Sequence, residues 1–236
     1  MKYEIDQQVL AKFPDFHRGV VVASGINNSR QNLRLGAMLD EAWRRAQSDP
    51  TLGSQPQVLV WDEAYKRFGA NPNRDTPSIK FLLSQARKGK SLRSINPLVD
   101  ILNVVSLEHS LPCGGDDLDA LAADGIMLTF ARGDETFASL GKPDHVESPI
   151  QGEVVYLTLP SRRVMCRRWN WRNAHFSRLT EATTRVAINI DSFIPPTESA
   201  VLHDATEKMA QLIQEFCGGK VVGHYVSANI PSFDIE

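Results

Sequence analysis

SINPLVDILNVVSLEHSLPCGGDDLD, residues Ser94–Asp119, is where the chain changes texture. Its first half predicts a helix that opens at Pro97, carries Leu98, Ile101, Leu102, Val105 and Ser106 or Leu107 at helical spacing, and ends near His109-Ser110. Cys113-Gly114-Gly115 reads as a backbone turn. Beyond it, Ile126–Ala131, Glu153–Leu159, Val164–Trp171 and Arg185–Phe193 read as strands separated by Gly, Pro or Asp. Thr197–Cys217 returns to helical spacing and stops at Gly218-Gly219, and Lys220–Val226 is a last strand. Upstream, Gly19–Ala23 is a β-branched strand, and Leu35, Leu39, Ala42, Trp43 and Ala46 mark a helix. Gln57–Trp61 reads as a strand followed by Asp62 capping a short helix closed by Gly69; Thr76-Pro77 opens another helix. Helices gather in the first half and strands in the second, without alternation, repeats or a Pro/Gly/Ser-rich linker. That order predicts a single α+β domain over residues 1–236, built on a mixed or antiparallel sheet with flanking helices.

Composition narrows the function classes. The chain has 236 residues, 42% of them hydrophobic and 23% charged, so it can bury a core without a metal or disulfide to hold it. The three cysteines, Cys113, Cys166 and Cys217, form no CxxC pair and no zinc spacing, which predicts neither a disulfide framework nor a structural metal. No apolar run approaches the roughly 20 residues of a membrane span, and the first residues lack a signal-peptide core. The expectation is a reduced, cytoplasmic protein. A net charge of −2 argues against bulk nucleic-acid binding, and no DNA partner is expected. Its distribution is uneven, however. Lys66–Arg93 holds eight basic residues against Asp75 alone, and Arg162–Arg178 holds six arginines and no acid. Such windows either form a positive face for a phosphate backbone or belong to arginines that lie over apolar neighbours and pair with distant acids.

Dinucleotide and phosphate loops, HExxH and GxSxG are all missing, and the six histidines do not fall at ligand spacing, so no cofactor or metal is implied. Asp116, Asp117 and Asp119 suit either a hard cation or the capping of a helical turn. Asp100 and Asn103, three apart on an apolar helix, share a face and predict a common pocket. In VMCRRWNWRN (Val164–Asn173), strand alternation places Arg163, Met165, Arg167, Trp169 and Trp171 on one face, and Cys166, Arg168, Asn170 and Arg172 on the other. Such a strand suits stacking a base and gripping a phosphate, with one of the two indoles expected in the core.

At these two segments the chain resembles a family. Ser94–Asp119 is similar to the motif IN-x-VVD-x-xN-x-V-x-LE-x-G-x-P of the editing region, the B3/B4 domain, in the beta chain of bacterial phenylalanyl-tRNA synthetase. CRRWNWRN followed by TEATTRVAINID resembles the later part of that domain in its free-standing version; the likeness spans about Asp75 to Asp191. The resemblance implies a mixed-sheet α+β domain whose pocket hydrolyses the ester of a wrongly attached aminoacyl group on tRNA. Asn103 matches a polar pocket residue. Where the family motif continues with an apolar residue, His, Ala, Phe and Asp, this chain has Cys113, Gly114, Gly115, Asp116 and Asp117, so the pocket histidine is absent. Asn189 stands in the place of a pocket glutamate. The expectation is a stand-alone aminoacyl-tRNA deacylase. Asn103, Asn189 and the N–H groups of Gly114 and Gly115 would serve the reaction, while Asp100, Cys113, Arg167, Arg168, Trp169, Asn170, Trp171 and Arg172 would bind the substrate, the arginine-rich surface holding the tRNA end. Its rivals are a non-catalytic module that binds tRNA or a free amino acid, and a thiol hydrolase at Cys113 activated by His109. The pocket assignment requires Asn103, the Cys113–Gly115 segment and Asn189 to meet.

Overall fold

The computed structural model describes residues 1–29, 31–122, 124–195 and 197–236. The elements follow as β1 (Lys2–Ile5), α1 (Gln7–Lys12), β2 (His17–Ser24), α2 (Leu33–Ser48), α3 (Pro56–Arg67), α4 (Ser78–Arg87) and α5 (Pro97–His109). Then come β3 (Cys113–Asp117), β4 (Gly125–Phe130), β5 (Phe137–Ala138), β6 (Val146–Glu147), β7 (Val154–Leu159), β8 (Val164–Arg167), β9 (Arg172–Asn173), β10 (Arg185–Ser192), α6 (Val201–Phe216), β11 (Lys220–Val226) and β12 (Ser232–Asp234). The fold is α+β.

Two sheets carry the molecule: a six-stranded one ordered β12-β1-β4-β7-β8-β9, mixed because β1 runs parallel to β4, and an antiparallel one ordered β11-β2-β10-β3. Period-two alternation gives the four-stranded sheet two different faces. Val21, Ala23, Val186, Ile188 and Ile190 pack with Ile101 and Val105 of α5 and Met209 of α6. Val20 and Ala187 belong instead to the core shared with Tyr3, Ile5, Leu128 and Tyr156 of the larger sheet. Helix α6 lies close on β2 at Gly19, where a Cβ would come within 2.0 Å of Thr206 Oγ1.

Three expectations need correction. Gln57–Trp61 is helical, inside α3: Pro56 opens the helix, and Val58, Trp61, Ala64 and Tyr65 all fall on one buried stripe, so helical periodicity overrides the β-branched run. Asp62 therefore sits within the helix and holds Lys80 Nζ at 2.5 Å; Gly69 does follow the helix end, at φ +87°. The Cys113–Gly115 segment is edge strand rather than turn, paired to β10. The strand over Val164–Trp171 ends at Arg167, because Arg168 (φ +46°) and Trp169 (φ +67°) adopt left-handed backbone and fold the chain back into β9. The face assignment across Trp169 and Trp171 fails with it.

Candidate functional site

The two sheets face each other across a layer that is polar at one end. Arg18 enters from β2, Asn189 and Asp191 from β10, and Asp116 from β3; all four are buried. Arg18 Nε donates to Asp191 Oδ1 at 2.6 Å, and its ring of neighbours includes Phe16 and Tyr156. Burial works against the Arg18 charge, and Asp191 together with Tyr3 and Tyr156 outweighs it, so the guanidinium stays firmly protonated. Its Nη1 donates to the Tyr3 hydroxyl oxygen at 2.9 Å. The Tyr3 proton is thereby left for Asn189, and the atom that accepts it is the carbonyl Oδ1. Tyr156 donates to the same oxygen at 3.2 Å. Burial raises the Tyr3 hydroxyl to about 12 and that of Tyr156 well above its usual range, so both remain donors. This relay fixes the Asn189 amide: Oδ1 is doubly engaged, and Nδ2 has no protein acceptor among the described residues.

Gly114 and Gly115 differ in what they offer. Asp191 N donates to Pro112 O at 3.0 Å, which sets the phase of the β3–β10 ladder. By the alternation of antiparallel pairs, the Gly114 N–H is engaged by Asn189, whereas the Gly115 N–H points outward from the sheet edge. Asp117 N, two residues on, points the same way and reaches Ser177 O at 2.9 Å. Gly114 has no positive φ, and nothing lies within 4 Å of where its Cβ would be. Neither backbone nor packing calls for a glycine there; its effect is an open space facing the polar layer.

Two adjoining cavities follow from this arrangement. The inner one, about 150 Å³, is lined by Gly114, Gly115, Asp116, Asn189, Arg18 and Tyr156 among others. That is room for about five waters or a small side chain. The outer one, about 560 Å³, is lined by Asn103, Ser106, Arg74, Phe81, Trp171 and Arg172 among others. Ser78, Cys113 and Trp171 line both and form the wall between them. Asn103 and Asn189 thus sit in neighbouring chambers of one concavity.

The remaining predicted residues divide. Asp100 does not join the pocket: it accepts from Ser94 Oγ at 2.6 Å and Ile95 N at 3.2 Å, holding the loop before α5. Arg167 is buried in a two-bond fork on Glu153 at 2.8 Å and bonds Glu147 at 2.9 Å. Arg168 pairs with Asp75. Both guanidinium groups are engaged inside the protein, so neither is a free phosphate contact. Trp169 is core, edge-on to Phe16 at 4.8 Å, Phe13 at 4.9 Å and Trp61 at 5.6 Å. Asn170 accepts from Tyr65 at 2.9 Å and leans on Asp191 at 3.4 Å, a positioning role. Trp171 is the half-buried indole, beside Arg172 at 4.0 Å and Arg168 at 4.4 Å, with Arg172 exposed at the outer rim. Burial pushes the Cys113 thiol up, its Sγ lies 3.7 Å from Leu111 O, and no bond joins it to His109, which disfavours the thiol nucleophile. Asp117 caps the short 3₁₀ turn over Leu118–Leu121, as expected, and no group of three or more His, Cys, Asp or Glu among the described residues is placed to hold a metal ion.

Tyr3, Arg18, Tyr156 and Asp191 were not singled out from the sequence. The available signal was a charge at the inward phase of a strand: Arg18 shares a face with Val20, and Asp191 with Asn189 and Ala187. No helix among the described residues is long and apolar enough to cross a membrane.

The B3/4 domain family model matches residues 60–218. Among curated proteins, the phenylalanine–tRNA ligase beta subunit of Geobacillus kaustophilus (strain HTA426) is 27% identical over 172 residues, covering 63% of this chain and 21% of that one. The chain therefore spans about a fifth of the length of this relative. Among solved structures, an N-terminal fragment of the phenylalanyl-tRNA synthetase beta-subunit from Pyrococcus horikoshii matches with a TM-score of 0.47 at 14% identity, covering 93% of this chain and 49% of that one.

Proposed function

The chain belongs to the B3/4 domain family, and from that premise we propose that it is a deacylase acting in trans on mischarged aminoacyl-tRNA in the cytoplasm. The observation that carries this reading is the locked Asn189 amide. Its carbonyl accepts from two tyrosines, which leaves Nδ2 without a protein acceptor among the described residues, and Asn189 and Gly115 both line the small inner cavity. Two donors without protein acceptors among the described residues suit an oxygen that gains charge during acyl transfer, where such a donor is worth about 3 kcal/mol to the transition state. The outer cavity supports the complementary half. Trp171, with the Arg168 and Arg172 guanidinium groups over its ring, and the exposed Arg172 itself stand where a terminal nucleoside and its phosphate would lie, with the aminoacyl group reaching past Cys113 into the inner chamber. Asn103 would contact the ester end from α5.

We further propose that the described residues act as one unit, since β1 and β2 from the first residues and β11 and β12 from the last are strands of the same two sheets. The second reading, a module that binds the tRNA end or a free amino acid without turnover, is favoured by one feature: Gly114 and Asn189 occupy the positions of the family's histidine and glutamate. A panel of mischarged tRNAs, followed for release of each amino acid, separates the two. Release that falls at least tenfold in Asn189→Ala while tRNA affinity holds supports the deacylase; binding without release from any member supports the module. Trp171→Ala should weaken tRNA binding by about 1–3 kcal/mol under either reading.

A further inference from the structure

Seven carboxylates are buried among the described residues. In Asp75, Asp100, Asp117, Glu135, Glu153 and Asp191, both oxygens accept at least one hydrogen bond from the protein. Asp116 is the exception. Ser177 Oγ donates to its Oδ1 at 2.7 Å, and no donor among the described residues reaches its Oδ2. The residue is 5% exposed and lines the inner cavity. It sits two residues beyond Gly114 on the same face of β3, about 7 Å along the strand, so its free oxygen borders the space that the missing Gly114 side chain leaves open. Oδ2 is not one of the enclosed side-chain atoms left without a partner, so it opens to the cavity, while Ser177 holds the other oxygen.

We propose that Asp116 is the general base of the deacylation, taking the proton of a water held in the inner cavity over Gly114; the proposal rests on the deacylase reading above. The water oxygen attacks the ester carbonyl carbon as its proton passes to Asp116 Oδ2. The carbonyl oxygen gains the negative charge against Asn189 Nδ2 and the Gly115 N–H. When the intermediate collapses, the carbon–oxygen bond to the ribose breaks, and the proton held by Asp116 goes to the leaving ribose oxygen. The products are tRNA with a free hydroxyl and an amino acid whose carboxyl releases one proton to solvent.

The surroundings suit this task. Burial lifts the Asp116 carboxyl to about 7, against the lowering effects of the Ser177 hydrogen bond and of Arg18, and with a raising contribution from Asp117. The titratable groups facing it are Arg18 from β2, Asp117 from its own strand, Tyr156 from β7 and Cys166 from β8. Arg18 is committed to Asp191, and the thiol and phenol are held protonated, so only Asp116 changes charge near neutrality. A base titrating near the working pH is the efficient choice.

The test uses the whole protein and a mischarged tRNA that it cleaves. Wild-type kcat/KM should rise with pH and level off above about 7, after subtraction of spontaneous ester hydrolysis. Asp116→Asn should lower kcat by about 100-fold or more, leave KM within a few-fold and abolish the rise. Ser177→Ala should move the rise to higher pH, because the hydrogen bond it removes favours the ionised carboxylate; this variant decides the matter if Asp116→Asn fails to fold. Carbon-detected NMR of the ligand-free protein should place the Asp116 carboxyl midpoint near 7. Full activity with an unchanged pH profile in Asp116→Asn, or a midpoint near the ordinary carboxylate value of about 4, overturns the proposal while the deacylase reading stands. A wild-type protein that releases no amino acid from any tRNA in the panel overturns both.

Discussion

The two faces of the four-stranded sheet are buried to the same degree by opposite chemistry. Toward α5 and α6 the strands present Val21, Val186, Ile188 and Ile190, all without exposure; toward the larger sheet they present Arg18, Asp116, Asn189 and Asp191, each 7% exposed or less. The first face gains stability from every apolar contact. The second packs Val20 and Ala187 against the larger sheet and must also satisfy its polar groups; Asn189 Nδ2 and Asp116 Oδ2, which have no protein partner among the described residues, open to the inner cavity instead. One face of the sheet therefore packs as core, and the other combines core packing with a set of polar groups held ready at the cavity.

The largest effect on stability belongs to Arg18. Arg18→Ala should cost about 3–5 kcal/mol in urea unfolding, because Asp191 is left as a buried charge without its partner, while a joint Arg18→Met and Asp191→Leu replacement should recover most of that loss. If the single variant unfolds like wild type, the polar face does not depend on that pair. On the apolar face Ile188→Ala should cost about 3 kcal/mol through lost contact and a residual void, with no change in the pH dependence of folding. A smaller effect sharpens the contrast. Because the folded-state value of Asp116 lies above that of the unfolded chain, the native state binds the extra proton, and stability falls as pH rises from about 4 to about 7. Thermal melts should show that decline in wild type and lose it in Asp116→Asn. The smallest change in stability belongs to Gly114→Ala, which should leave folding unchanged or improved by up to about 1 kcal/mol, since the site has space and an ordinary backbone. Its effect is expected in function, as reduced amino-acid release from a partly filled cavity.

Much of the apolar face was legible in the sequence. Helix α5 begins at Pro97 and ends at His109 as its spacing predicts, and β2, β10 and β11 appear where their β-branched runs lie. The failures have local causes. Gln57–Trp61 looks like a strand over five residues and reveals its helical stripe only when Ala64 and Tyr65 are counted. The turn at Arg168 and Trp169 has no sequence mark, because neither residue favours left-handed backbone; burial of the indole and the Asp75 ion pair hold it there. That turn also explains why the arginine windows do not form a continuous positive face, as Arg162, Arg167 and Arg168 are paired with Glu135, Glu153 and Asp75. The polar face was only half legible. Family likeness pointed to Asn189 and to the missing histidine at Gly114, but the relay from Arg18 through Tyr3 joins residues from β1, β2 and β10, a proximity that strand pairing creates and no local pattern records.

The burial of its companions gives Trp171 one more use. Trp43, Trp61 and Trp169 are enclosed in the core, whereas Trp171 alone stands half-open, on the wall shared by the two cavities. Intrinsic fluorescence should therefore divide into a shielded blue component from three indoles and a red, acrylamide-quenchable one from the fourth. Any molecule that settles in either chamber should dim or shift that red component, giving a label-free optical titration of the site with no added dye.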